Sequence, residues 1–198
     1  DLYTIAKELQ GQGRSVDGLR IAMVGDLKYG RTVHSLCKLL SLYNNIQVTL
    51  VSPAELAMPE QYVESLRQAG HQVSVTDQLE ASISHVDIVY STRIQEERFS
   101  ERAQADLYRG RFRLNQAIYT EHCEPNTVIM HPLPRDSRVE ANELDTDLDA
   151  NPNLAIFRQA DNGLLVRMAL FALVLDVAHL VDRHAKDVHW FNSRDLAK

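Results

Sequence analysis

Cysteine is scarce in this chain, which has 198 residues and carries only Cys37 and Cys123. They form neither a Cys-x-x-Cys pair nor part of a His/Cys cluster with zinc-ligand spacing, which argues against zinc-stabilised and disulfide-stapled folds. Basic residues are outnumbered by acidic ones, 21 against 27, and the net charge of -6 repels nucleic acid and acidic membrane surfaces. We therefore expect a protein of the reducing cytoplasm, with no metal, no cofactor, and neither nucleic acid nor membrane as partner.

Long hydrophobic runs are limited to one segment, 164–181, and charges interrupt it at Arg167 and Asp176. A membrane-spanning helix needs about 20 apolar residues with few or no charges. We therefore predict a buried or interface helix from about Asn162 to Arg183. Its apolar residues occupy most of the circumference, so one face should pack on something beyond a single sheet. The first residues of the chain also lack the pattern of a secretory signal.

Short apolar strands alternate with helical patterns along the rest of the chain. Predicted strands cover 19–24, 46–51, 71–75, 86–90 and 126–130, and predicted helices cover 2–9, 30–43, 58–69, 79–84 and 100–108. Strands separated by helices of this length indicate βαβ units and a parallel sheet. The predicted fold class is α/β, a three-layer Rossmann-like parallel sheet with helices on both faces.

Three loops that follow predicted strands carry cations, at 25–32, 91–98 and 131–135. Ligands of parallel sheets bind at the carboxyl ends of the strands, which is where these loops begin. The first loop joins a strand to a helix start and contains two glycines with Lys28 and Arg31. Free backbone N–H groups and the positive end of the helix dipole converge there, so we predict an anion site.

The first loop has the spacing Gly-x-x-x-x-Gly-Arg-Thr, one residue from a phosphate-binding P-loop. A nucleotide-binding enzyme is therefore a remote alternative. Arg31 stands where the P-loop has Lys, and a planar guanidinium does not replace that compact charge. The strand at 86–90 is followed by Ser-Thr-Arg and not by an Asp that would help to hold Mg²⁺.

Two arginines, Arg31 and Arg93, each follow the end of a predicted strand. Each guanidinium offers a rigid fork of donors matched to a carboxylate, so two forks facing one crevice suit a dicarboxylate. The alternative is that each arginine caps its own loop or pairs with a neighbouring acid such as Asp26, Glu96 or Glu97. Spacing alone leaves both interpretations open.

The third loop has the sequence His-Pro-Leu-Pro-Arg at 131–135, in which two prolines fix the backbone directly after a strand. Cis proline serves tight turns, and Leu133–Pro134 is the candidate bond. A rigid turn can aim backbone carbonyls at an ammonium or amide group of a ligand. A simple proline-rich turn is the alternative.

Taken together, the three loops resemble aspartate carbamoyltransferase. The aspartate-domain signature of that family is similar to the run at 25–36, Gly-Asp-Leu-Lys-Tyr-Gly-Arg-Thr-Val-His-Ser-Leu. Its Thr-Arg-x-Gln-x-Glu-Arg motif is similar to 92–98, and its His-Pro-Leu-Pro-Arg motif matches 131–135. The opening residues resemble the helix that leaves the family's first domain, and the resemblance extends to about Leu175.

The resemblance implies roles for individual residues. Arg31 matches the arginine that binds the α-carboxylate of aspartate, and Arg93 matches the one that binds the side-chain carboxylate, supported by Gln95. Leu133 and Pro134 match the turn whose backbone faces carbamoyl phosphate and the attacking amine. The implied partners are L-aspartate and, through a domain missing from this sequence, carbamoyl phosphate.

The resemblance also implies moving parts. Lys28 and the segment from Gln95 to about Phe112 match elements that close over the substrates in the family. Glu97 and Arg98 stand among opposite charges in that segment, as expected for a loop held closed by exchangeable ion pairs. We therefore expect these three charged residues to act in loop closure.

Ornithine carbamoyltransferase, the sibling family, shares the fold but has His-Cys-Leu-Pro in the third loop and a Ser-Met-Gly motif for ornithine. This chain has Pro132 after His131 and lacks Ser-Met-Gly. A pair of arginines suits an acidic amino acid and would repel the ammonium of ornithine. Aspartate is therefore the predicted substrate.

Two motifs of the family's N-terminal domain are missing here, Ser-Thr-Arg-Thr and His-Pro-x-Gln, which bind carbamoyl phosphate and polarise its carbonyl. The expected organisation is a linker helix at 1–18 from a missing N-terminal carbamoyl phosphate domain, an aspartate-binding α/β domain at 19–160, and a long helix and tail at 161–198.

The family converts carbamoyl phosphate and L-aspartate to N-carbamoyl-L-aspartate and phosphate in de novo pyrimidine biosynthesis, without a covalent enzyme intermediate. A chain with one substrate's site is expected to be inactive alone. The resemblance further implies a homo-oligomer, a trimer in the full-length family, with regulatory chains as further partners. The alternative is a non-catalytic domain that only binds aspartate or assembles with partners, and it shares every motif above.

Overall fold

A single parallel sheet forms the centre of the structure, a computed structural model that describes residues 1–98, 108, 110–136, 138 and 141–184. Its strands are β1 Arg20–Val24, β2 Gln47–Val51, β3 Gln72–Thr76, β4 Ile88–Ser91 and β5 Val128–Met130. They are arranged in the order β3-β2-β1-β4-β5, and every neighbouring pair is parallel. The predicted parallel sheet is confirmed, and each strand lies within two residues of its predicted bounds.

Helices connect the strands. In the described ranges they are α1 Leu2–Gly11, α2 Arg31–Leu40, α3 Glu60–Gln68, α4 Leu79–Ile83, α5 Gln116–His122, α6 Ile156–Val174 and α7 Val181–His184. Shorter 3-10 helices occur at Ala54–Leu56, Glu96–Arg98, Thr146–Ala150 and Ala178–Leu180. The helix predicted at 100–108 lies outside the described residues. None of the described helices combines the length and the hydropathy needed to cross a bilayer.

Strand residues alternate between two apolar layers, one on each face of the sheet. Ile21 and Met23 of β1 belong to the layer that contains the apolar sides of α1, α2 and α3. Ala22 and Val24 belong to the layer that contains those of α4 and α5. Because both faces are covered, the strands are apolar almost throughout. The predicted three-layer arrangement is confirmed.

Helix α5 was not predicted. Asn115 precedes it and caps it, because the Asn115 side-chain oxygen accepts a hydrogen bond from Ile118 N at 2.8 Å. This bond satisfies one of the N–H groups that a helix start leaves without an intrahelical partner. An asparagine at that position is a helix-start signal that the sequence prediction missed.

The predicted helix at 162–183 is wrong at both ends, since α6 begins six residues earlier and stops at Val174. Asp176 adopts a left-handed conformation with φ of 55°, and Val177 N donates to the carbonyl oxygen of Ala172 at 2.9 Å. This is the Schellman ending of a helix, in which glycine is the usual left-handed residue. An aspartate in that position gave no recognisable stop signal.

The chain divides into two compact units, residues 1–162 and residues 163–198. The first unit contains the sheet with α1 to α5. In the second unit, the C-terminal part of α6 exposes many large apolar side chains, among them Leu170, Phe171 and Val174. These three line a groove of about 260 Å³ together with Arg167.

Candidate functional site

Strands β1 and β4 lie side by side in the middle of the sheet, and the strand order reverses between them. From β1 the chain continues outward to β2 and β3, and β5 lies on the far side of β4. A crevice opens at the carboxyl ends of two strands where a parallel sheet reverses in this way, and it is the usual ligand site of the fold. The first two cationic loops leave the sheet at this point.

Gly25 allows these two loops to touch. Its φ is 112°, and a Cβ atom built on it would lie 2.2 Å from the carbonyl oxygen of Thr92. Glycine alone fits both the conformation and the space. Thr92 fastens the contact, because its N and Oγ1 both donate to the carbonyl oxygen of Val24, at 2.8 and 3.0 Å. Arg93 is therefore held beside the first loop.

A cleft of about 170 Å³ lies at this edge of the sheet, and all three cationic loops contribute to it. Its lining includes the five residues that were predicted to bind substrates, Arg31, Arg93, Gln95, Leu133 and Pro134. Thr32, Thr92 and His131 also line it. The two arginines thus border one cleft, which is the arrangement that a dicarboxylate ligand requires.

The two arginines have different surroundings. Arg31 is the first residue of α2 and is exposed, so its charge adds to the positive end of the helix dipole. Arg93 is half-buried, and its Nη1 donates to the carbonyl oxygen of Ile94 at 3.3 Å. Both guanidinium groups and the first N–H groups of α2 favour an anion in the cleft.

A buried carboxylate joins the first loop to the second. Asp26 is fully buried; its Oδ1 accepts from Tyr29 N at 2.9 Å and its Oδ2 accepts from Gln95 N at 3.1 Å. The sequence interpretation considered Asp26 only as a partner for an arginine and missed this role. An acidic residue directly after a buried strand is the signal that could have found it.

The third loop forms a tight turn, and the predicted cis bond between Leu133 and Pro134 is confirmed. Leu133 N donates to Nδ1 of His131 at 2.9 Å. His131 N in turn donates to Oε1 of Gln159 at 3.0 Å, and His131 Nε2 lies 2.6 Å from Oε1 of Glu143. Glu143 and Gln159 were not predicted as site residues, because both are far from the motif in sequence.

Tyr90 lies buried on β4 beside the cleft. Burial raises the pKa of its phenol to about 12, although the neighbouring side chains of Thr32 and Gln159 act in the opposite direction. The hydroxyl is therefore neutral at physiological pH. Arg135, the cation of the third loop, lies with Nη1 2.8 Å from Oδ1 of Asp149 and is thus committed to an ion pair.

Two of the predicted closure residues, Lys28 and Arg98, are not part of the cleft lining. Lys28 is exposed, with Nζ 5.3 Å from the ring centroid of Tyr29, and Arg98 is exposed at the end of a 3-10 helix that also contains Glu97. Glu96 of the same helix pairs with Arg138 at 2.6 Å. Closure by Lys28, Glu97 and Arg98 stays a prediction.

The chemistry of the cleft is that of binding and orientation. It offers guanidinium forks, backbone N–H groups and a turn with backbone carbonyls. Among the side chains that the structure describes, no three His, Cys, Asp or Glu are grouped as metal ligands would be. The fold and the site together define a Rossmann-like domain whose anion-binding cleft is bordered by two arginines.

The aspartate/ornithine carbamoyltransferase Asp/Orn binding domain is the family whose model matches residues 17–174, and the chain belongs to this family. The aspartate carbamoyltransferase catalytic subunit of Cellvibrio japonicus is 75% identical over 193 residues, which are 98% of this chain and 57% of that protein. The chain thus spans little more than half the length of this relative.

Solved structures agree with the family. The catalytic subunit of M. jannaschii aspartate transcarbamoylase superposes with a TM-score of 0.77 at 38% identity, covering 89% of this chain and 55% of that one. Aspartate transcarbamoylase from Trypanosoma cruzi, solved in complex with aspartate and phosphate, gives a TM-score of 0.73 at 37% identity, covering 86% and 50%. Membership of this family excludes the P-loop interpretation.

Proposed function

We propose that the chain is the aspartate-binding part of an aspartate carbamoyltransferase, which makes N-carbamoyl-L-aspartate and phosphate from carbamoyl phosphate and L-aspartate for pyrimidine biosynthesis in the cytoplasm. One observation carries the proposal: Arg31 and Arg93, from loops that follow adjacent strands, line the same cleft as the Leu133–Pro134 turn. The names of the relatives support the same substrate.

The cleft suits aspartate by its charge and size. Arg31 binds the α-carboxylate and Arg93 binds the side-chain carboxylate, with Gln95 beside it. A volume of about 170 Å³ lies below the roughly 300–1,000 Å³ of pockets for drug-sized ligands, so a small amino acid fits better than a nucleotide. When both carboxylates are bound, the amine of aspartate points toward the Leu133–Pro134 turn.

The reaction follows from that orientation. The aspartate amine attacks the carbamoyl carbon, a C–N bond forms, and a tetrahedral intermediate collapses as the bond to the phosphate oxygen breaks. The amine loses a proton and inorganic phosphate leaves. Carbonyl oxygens of Leu133 and Pro134 accept hydrogen bonds from the amine, which keeps its lone pair directed at the carbamoyl group. This chain contributes by holding one reactant in place, a large part of the rate enhancement in such bimolecular reactions.

In this proposal, the carbamoyl phosphate site lies in the part of the full-length protein that this chain does not span. The test compares two proteins: the 198-residue chain, and the same chain joined to the part of the Cellvibrio japonicus subunit that it does not match. Carbamoyl-aspartate formation is expected from the joined protein and not from the chain alone. Turnover by the chain alone would contradict the division of the sites, and no turnover by a folded joined protein would favour a non-catalytic aspartate-binding or assembly domain.

The assembly is proposed by the same analogy. The full-length enzyme forms a homotrimer, and regulatory chains are further partners. Closure over the bound substrates involves Lys28, Glu97 and Arg98.

A further inference from the structure

The His131 side chain is enclosed under the third loop, with 1% of its surface exposed. It makes one hydrogen bond within the loop, because Leu133 N donates to its Nδ1 at 2.9 Å. Its other ring nitrogen, Nε2, lies 2.6 Å from Oε1 of Glu143, although this contact does not have the geometry of a regular hydrogen bond. Glu143 is itself 8% exposed at the side chain.

These contacts fix the state of the ring. A backbone N–H can only donate, so Nδ1 of His131 offers its lone pair to Leu133 and carries no proton while this bond is formed. The proton of the neutral ring then resides on Nε2, which faces the carboxylate of Glu143. Glu143 is held from the other side, since Asp136 N donates to both of its oxygens, at 3.2 and 3.3 Å. The negative charge of a carboxylate beside a ring nitrogen favours the tautomer that carries its proton on that nitrogen.

The turn needs this support. Leu133 has a φ of 56°, in the left-handed region that residues with a branched side chain seldom adopt. Such a conformation persists only where the surroundings determine it. The hydrogen bond from Leu133 N to His131 Nδ1 helps to hold Leu133 in this conformation. The hydrogen bond from His131 N to Gln159 in turn anchors His131.

We propose that His131 and Glu143 are positioning residues that fix the Leu133–Pro134 turn, so that its carbonyl oxygens receive the amine of the bound amino acid. Neither residue touches the reacting atoms in this account. The inference rests on the proposed function, because it assumes that the amine of aspartate faces the turn. The proposal predicts a selective effect on affinity. A change at His131 or Glu143 should weaken the binding of ligands that carry an amine, and should leave unchanged the binding of carboxylates by Arg31 and Arg93.

A comparison of the Kd values for L-aspartate and succinate distinguishes this positioning role from a purely structural one. Succinate has both carboxylates of L-aspartate but no amine, so it measures the arginine contacts alone. In His131→Leu, which removes the acceptor for Leu133 N, the Kd for L-aspartate should rise by about tenfold, the range of one lost hydrogen bond, while that for succinate changes by less than about twofold. His131→Asn should recover most of the difference, because an Asn side chain can accept from the N–H two residues later.

The matched control is His85→Leu. His85 is an exposed histidine that contacts Glu124 and lies outside the cleft lining. It precedes β4, whereas the cleft lies at the carboxyl end of that strand, so neither Kd should change. Equal weakening of both ligands in His131→Leu, or an unchanged ratio of the two, overturns the positioning role. A wild-type chain that binds neither ligand overturns the proposed function instead, which keeps the two failures apart.

A second measurement starts from the wild-type chain, whose result needs no variant, and then compares it with one variant. Imidazole ¹⁵N spectra should show Nδ1 of His131 as unprotonated and Nε2 as protonated. In Glu143→Met, which removes the carboxylate, the two nitrogen shifts should move toward each other as the second tautomer becomes populated. A proton on Nδ1 in the wild type, or no change in Glu143→Met, would overturn the proposed pair.

Discussion

Asp26 illustrates, at the scale of one residue, how the cleft depends on groups that do not line it. The carboxylate is fully buried, and its two oxygens accept hydrogen bonds from backbone N–H groups of different loops, Tyr29 and Gln95. Hydrogen bonds to a charged acceptor are stronger than neutral ones. The single side chain therefore sets the distance between the loop that carries Arg31 and the loop that carries Arg93.

Replacing Asp26 by Ala should lower both stability and affinity. The two N–H groups, at half-buried residues, lose their charged acceptor, at a cost of up to about 1–3 kcal/mol for each group left unpaired. Urea unfolding should show a loss of that order, and the Kd for L-aspartate should rise by tenfold or more because the arginines lose their spacing.

Asp17→Ala is the matched control for this experiment. Asp17 is exposed and also accepts from a backbone N–H, that of Asn44 at 2.6 Å, but it precedes β1, whereas the cleft lies at the carboxyl end of that strand. The Asp17→Ala variant should lose less stability than Asp26→Ala, and its Kd for L-aspartate should equal that of the wild type. Equal losses of affinity in Asp26→Ala and Asp17→Ala would refute a specific role for Asp26.

At the scale of elements, a second buried carboxylate joins the starts of strands at the opposite edge of the sheet. Asp87 precedes β4 and lies 2.6 Å from a nitrogen of Arg14 and 2.6 Å from one of Arg20, the first residue of β1. Burial alone would raise the pKa of Asp87, but the hydrogen bonds from Arg14 and Arg20 outweigh it and hold the pKa at about 2.

This shift predicts an acid-sensitive contribution to stability. The pKa of Asp87 falls from 3.8 to about 2 on folding, so its contribution is complete above the unfolded value and is lost as the pH falls toward 2. The free energy of unfolding of the wild type relative to Asp87→Asn should be constant above about pH 5 and shrink by about 2 kcal/mol between pH 4 and pH 2. A difference that does not vary with pH would contradict the ion-pair account.

The elements differ in how far the sequence could predict them. The strands were predictable because both faces of the sheet are buried, which leaves uninterrupted apolar runs between polar turns. Helix α5 was missed because only one of its side chains, Tyr119, is buried, so it has little apolar periodicity. The end of α6 was missed because Asp176 takes a conformation that sequence rules assign to glycine.

At the scale of the whole molecule, the cleft combines loops that are far apart in sequence. Motif resemblance was enough to find Arg31, Arg93 and the third loop. It could not find Glu143 or Gln159, because their contacts with His131 exist only once the chain has folded. Polar partners of this kind have no periodicity and no fixed spacing, so a sequence alone does not reveal them.

The second unit carries a prediction about association. Phe171 and Val174 are 67% and 79% exposed on a helix whose other large side chains are mostly apolar. Apolar surface of this kind marks an interaction face. Light scattering should show dimers or larger species, and Phe171→Glu should shift the distribution toward monomer. A wild-type chain that is a clean monomer would count against this prediction.

The central claim is that two arginines hold the two carboxylates of one small ligand, and titration of the chain with L-aspartate and with L-asparagine tests it most directly. The two ligands share a shape, but the amide lacks the charge that Arg93 binds. The wild type should prefer L-aspartate by about a hundredfold, as expected for a charged hydrogen bond. Arg93→Lys should lose most of that preference, because an ammonium cannot reproduce the guanidinium fork. Equal affinity for the two ligands in the wild type, or a preference that survives in Arg93→Lys, would contradict the account.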